Sequence, residues 1–155
     1  MNKDNAMYDA AILDALAPCG LDCSKCLAFA GGEIRRHSQA LAALLGANFA
    51  SYAKRMSPMA PALEHYHQFR MVLDYLADAT CQGCRKSGCL FKDCHVHACV
   101  KEKGVDFCFQ CSAFPCHETN FPPALEERWF KNNQRMREQG VEIFYLMVKD
   151  KPRYP

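Results

Sequence analysis

No apolar run in this sequence comes near the ~20 residues that cross a bilayer; the cluster from Phe144 to Val148 is far short of it. A secretion signal is not evident either, because Asp4, Asp9 and Asp14 interrupt what would be its apolar stretch. Lys and Arg never gather into a basic arm. With 19 basic against 17 acidic side chains, the formal charge is only +2, too small and too mixed to attract nucleic acid. These absences exclude a membrane role, make nucleic acid an unlikely partner, and predict a cytoplasmic protein. A last scarcity is local: the stretch from Cys81 to Cys116 has few aliphatic residues and cannot build an apolar core of its own.

What that stretch does have is thiols, eight of the eleven in the chain. In a reducing compartment cysteines at this density are metal ligands or redox groups rather than disulfides, and the odd count points the same way. Three Cys-x2-Cys knuckles occur, at Cys23/Cys26, Cys81/Cys84 and Cys108/Cys111. Such a pair places two thiolates on one tight turn, where both can bind one ion. The spacing of Cys81, Cys84 and Cys89 is repeated by Cys108, Cys111 and Cys116, with Cys94 and Cys99 between.

Two divisions of these eight thiols are open. In the sequential one, Cys81, Cys84, Cys89 and Cys94 form one tetrahedral site and Cys99, Cys108, Cys111 and Cys116 the next. In the interleaved one, the knuckles Cys81/Cys84 and Cys108/Cys111 share an ion. Short loops cost less entropy to close, which favours the sequential division. Cys19, Cys23 and Cys26 then form a third group, closed by His95, His97 or His117 or left with an open position. The ion expected is zinc, two or three per chain, with an iron–sulfur cluster as the alternative, since thiolates suit both.

Around the thiols the pattern is helical. Residues 7–16 predict a short helix stopped by Pro18. The stripe of Leu41, Leu44, Leu45, Phe49 (one off the ideal spacing), Tyr52 and Met56 predicts a helix from Ile34 to Met56, and Ala62, Tyr66, Phe69, Leu73 and Leu76 a second one to about Ala79. A short Pro-containing link makes the two an antiparallel hairpin. His65 and His67 on that second helix face different directions and read as surface residues. Pro123 and Gly140 bracket a further helix, with Leu125, Trp129, Asn132 and Met136 inward and Glu126, Glu127, Lys131, Arg135 and Glu138 as a solvated surface. Residues 141–148 are assigned to a last helix, because no strand is evident to pair with them, and the tail after them to an extended segment. Trp129, Phe130, Phe107 and Phe109 read as core closing over the thiols, not as a platform for bases. The fold class is mainly α, with little or no sheet. It is a single domain over 1–155: a helix and Cys loop (7–33), a helical hairpin (34–79), a Cys-rich metal-stapled lobe (80–118) and C-terminal helices (119–149).

The motifs PCGLDCSKC, CQGCR and DCHVHACVKEKGVDFCFQCSAFPC, followed by a helix containing RW and then GVEIF, resemble a widespread family of small prokaryotic cysteine-rich proteins catalogued as a domain of unknown function. The likeness covers nearly the whole chain. It implies a bacterial or archaeal cytoplasmic protein that holds a metal, without implying a reaction. The function expected is therefore that of a non-catalytic metal-binding module, with structural zinc, that contacts a protein or small ligand. The alternative is an iron–sulfur or open-site zinc enzyme or redox protein centred on Cys19, Cys23 and Cys26.

Overall fold

The computed structural model describes residues 8–154. Backbone contacts divide the chain into two units: Leu27–Thr80 is continuous, whereas the other unit joins Met1–Cys26 to Cys81–Pro155. Both are helical. Among the described residues there is no strand ladder, and the pairing of Leu16 with Asp22 is an isolated bridge.

In the continuous unit, helix α2 (Glu33–Leu45) packs antiparallel on α4 (Tyr66–Ala77), with α3 (Phe49–Met56) and a 3-10 turn (Pro61–His65) between them. The single helix expected from Ile34 to Met56 is broken at Gly46, whose φ of 70° and ψ of 176° end α2. That backbone region is essentially glycine's alone, so the chain can stop there and restart at Phe49. The expected stripe is only partly buried, since Leu44 is 85% exposed while Ser38 and Ala53 are buried. The closing end of α4 is tied to the start of α2 by side chains. Arg35 Nε and Gln39 Nε2 donate to the Ala77 carbonyl at 3.2 and 3.1 Å, satisfying an acceptor that a helix end leaves free. His65 and His67 are exposed, as a surface role requires.

The discontinuous unit starts with α1 (Ala10–Ala15), capped where the Asp9 carboxylate accepts the Ala11 N–H at 2.7 Å. Short helices α5 (Cys84–Ser87) and α6 (Val96–Lys103) carry part of the thiol-rich segment. Helices α7 (Pro123–Gln139) and α8 (Val141–Val148) complete the unit. Proline at the first turn of α7 and Gly140 at φ 92° mark its limits, where the sequence places them. Beyond α8 the chain turns, with Lys151 N–H bonded to the Val148 carbonyl, instead of running on extended.

Helix α7 organises two apolar clusters. Trp129 packs with Ala17, Cys19, Cys23, Val96 and Val100; Met136, two turns on, packs with Leu16, Phe107, Val141 and Phe144. Phe107 and Phe144 are 0% and 1% exposed, each worth about 2–3 kcal/mol of burial. The core is therefore built jointly by both chain ends, and it includes two of the cysteines. The polar position on this face is Asn133, fully buried, not Asn132.

Candidate metal centres

Two of the three knuckles share one local structure. Cys23 opens the 3-10 turn Cys23–Lys25 and Cys108 the turn Cys108–Gln110. In each, the second cysteine's N–H returns to the first one's carbonyl, Cys26 to Cys23 at 3.0 Å and Cys111 to Cys108 at 3.1 Å. Asp22 supports the first turn by accepting the Ser24 N–H at 2.9 Å. The Cys81/Cys84 pair is different, because Gly83 at φ 98° turns the chain into α5. Cys81 Sγ lies 3.4 Å from Ser87 Oγ and accepts the Gly83 N–H at 3.3 Å.

The thiols gather into two groups. Cys99, Cys108, Cys111 and Cys116 line one cavity of about 30 Å³, closed by Val100, Val105 and Phe114. This group coincides with one half of the sequential division. Its walls are held by aromatic packing, with Phe114 edge-on to Trp129 at 5.2 Å and stacked on Phe130 at 5.9 Å. Burial pushes the Cys108 thiol up to about 11. Opposing that, the indole N–H of Trp129, buried without a partner of full hydrogen-bond geometry, stabilises negative charge on the same sulfur.

The other group crosses between the chain ends. Cys19, Cys84, Cys89 and Cys94 line a second cavity of about 30 Å³, together with His97 and Arg153. Cys23 is beside them, and the neighbouring Cys84 thiol lowers its pKa to about 7 against the opposing effect of burial. Cys84 is held up by its bonds with Cys23 and Cys89. Cys89 is held down by Cys84 and Cys94, and Cys94 is raised chiefly by that last bond. Cys19, fully desolvated, is raised to about 12.

Cys26 stands at the margin, where the Tyr154 hydroxyl is 3.9 Å from its sulfur. Of the expected triplet, Cys19 lines this cavity and Cys23 is beside Cys84, while Cys26 is not among the lining residues although its N–H bonds the Cys23 carbonyl. Of the three histidines, His97 alone reaches a thiol cavity. Its Nε2 donates to the Arg85 carbonyl at 3.2 Å. His95 donates to the Glu118 carbonyl at 3.0 Å, and the His117 side chain is almost fully exposed.

Among the described residues, no three His, Cys, Asp or Glu side chains are already close enough together to hold an ion. The donor set nonetheless suits a soft-tolerant metal, since each cavity offers four sulfurs.

Residues 15–121 match a family described as "Protein of unknown function (DUF3795)". The chain belongs to this family. The DUF3795 match includes every cysteine and ends at Phe121, before α7, so it covers less of the chain than the resemblance implies. No curated protein and no solved structure matches the chain. Among the described residues, no helix is long and apolar enough to cross a membrane.

Proposed function

We propose that this DUF3795 chain is a cytoplasmic zinc-binding protein with two thiolate centres. One is Cys99, Cys108, Cys111 and Cys116. The other draws on Cys23, Cys84, Cys89 and Cys94, with Cys19 beside them. The observation that carries this reading is the pair of small cavities, each lined by four cysteines. Zinc's preference for four tetrahedral sulfurs fits the number of donors. In this role the metal is structural. It joins short helices that bury little apolar surface by themselves, and a structural zinc site contributes on the order of 10 kcal/mol to folding. The helices around it remain free to contact a protein or small ligand.

Elemental analysis of anaerobically purified chain tests this directly. About two zinc ions per chain and a colourless solution are expected. A brown protein containing iron and acid-labile sulfide would overturn the zinc assignment.

A further inference from the structure

We propose that the cavity between α7, the Cys23–Lys25 turn and the tail after α8 is a binding site for a small organic polyanion, a phosphate ester or a polycarboxylate. Its volume is about 460 Å³, within the range of sites that take small metabolites. Six cations line it: Lys25, Arg128, Lys131, Arg135, Lys151 and Arg153. Two carboxylates, Asp22 and Glu127, face them. In a chain whose whole formal charge is +2, this is a pronounced local surplus.

That surplus is not consumed inside the protein. Lys131 pairs with Glu127, and no other lining cation has a carboxylate partner among the described residues. Lys25 closes the end of α8 by donating to the carbonyls of Val148 and Lys151 at 3.2 and 2.6 Å. Arg128 donates to the Arg153 carbonyl at 2.7 Å, and Arg153 donates to that of Asp22. These contacts use neutral acceptors, which fix the cations in place without neutralising them; Arg153 in addition faces the thiols of Cys26, Cys23 and Cys19, which share its charge. Arg135 has no hydrogen-bond or ion-pair partner among the described residues, and its guanidinium is free for a bidentate contact with phosphate or carboxylate.

The α7 residues involved, Arg128, Lys131 and Arg135, recur at steps of three and four and so share one face. Sequence periodicity assigns that face to ordinary solvated surface. What changes its character is the tail, which brings Lys151 and Arg153 opposite. Arg153 also lines the Cys19/Cys84/Cys89/Cys94 cavity, so a bound anion would lie beside that thiol group. The proposal does not depend on which metal, if any, those thiols hold.

Titration calorimetry of the full chain with ribose 5-phosphate and, separately, with succinate tests it, zinc content being measured on the same sample. Saturable binding of at least one is expected, and which one binds identifies the anion class. Arg135→Gln, an exposed position, should weaken that binding by about tenfold or more, and Lys151→Gln should weaken it independently. Arg55→Gln, in the Leu27–Thr80 unit, should leave it unchanged. The proposal is overturned if neither compound binds saturably, if both cavity variants bind like the unaltered chain, or if Arg55→Gln weakens binding equally. Because zinc is assayed separately, loss of anion binding with metal retained is distinguishable from failure of the zinc assignment.

Discussion

Asn133 accepts the backbone N–H of Phe109 at 3.0 Å. Its amide also donates to the Trp129 carbonyl at 3.1 Å and the Pro18 carbonyl at 3.5 Å. One fully buried side chain therefore holds α7 to the third knuckle and to the loop before Cys19. Asn133→Leu is expected to leave the Phe109 N–H unpaired and to lower stability by about 2 kcal/mol. Chemical denaturation of the metal-loaded protein measures this.

The grouping of thiols makes a prediction that spacing alone would not. Cys84→Ser should remove one metal ion and Cys116→Ser the other, each leaving the remaining site loaded. Cys81→Ser should retain both, because Cys81 lines neither thiol cavity. Metal-to-protein ratios of the three variants decide the matter; loss of an ion from Cys81→Ser would return Cys81 to the ligands, as both divisions read from the sequence have it.

Gly20 and Gly104 both have positive φ, 81° and 65°, yet they should respond differently to alanine. A Cβ at Gly20 would lie 2.6 Å from Asn132 Cβ, whereas one at Gly104 would meet nothing within 4 Å. Gly104→Ala should cost about 1 kcal/mol, the left-handed backbone penalty. Gly20→Ala adds overlap in a packed region and should cost about 3 kcal/mol. Comparative thermal melts test the contrast.

Hydrogen bonds from Arg36 hold the exposed Glu33 carboxyl below its ordinary pKa. A carboxyl lower in the folded than in the unfolded chain contributes stability above its unfolded value. That contribution fades as pH falls through the folded one. NMR titration should therefore show the Glu33 midpoint rising toward 4.5 in Arg36→Gln. An unchanged midpoint would remove Arg36 as the cause.

The helices were legible in the sequence wherever a residue type dictates backbone geometry. Pro123 and Gly140 bracket α7 for that reason, and Pro18 stops the chain just after α1. Gly46 is the exception, because the apolar stripe from Leu41 to Tyr52 keeps its period across the break; periodicity registers side chains and not the angle at which a glycine turns. Asn133 was hidden for a related reason. An amide looks like a surface residue until the backbone groups it serves are brought beside it.

Half of the thiol grouping was equally accessible. Cys99 to Cys116 lie close in sequence, and loop entropy alone puts them together. The meeting of Cys23 with Cys84 was not accessible, since no spacing rule applies across an intervening helical unit. The cationic cavity depends in the same way on the tail, where Lys151 and Arg153 look like unremarkable charges until they face α7.

The division of the chain into a continuous and a discontinuous unit has a consequence for its synthesis. On the ribosome, Leu27–Thr80 can close on itself as soon as its last turn has emerged. Cys19 and Cys23 are made earlier but must wait for Cys84, Cys89 and Cys94, and the aromatic wall of the other centre waits for α7. Through that interval the nascent chain carries unpartnered thiols, so with the two zinc centres proposed above, the supply of metal and reductant at the moment of translation would bear on how much correctly assembled protein is produced.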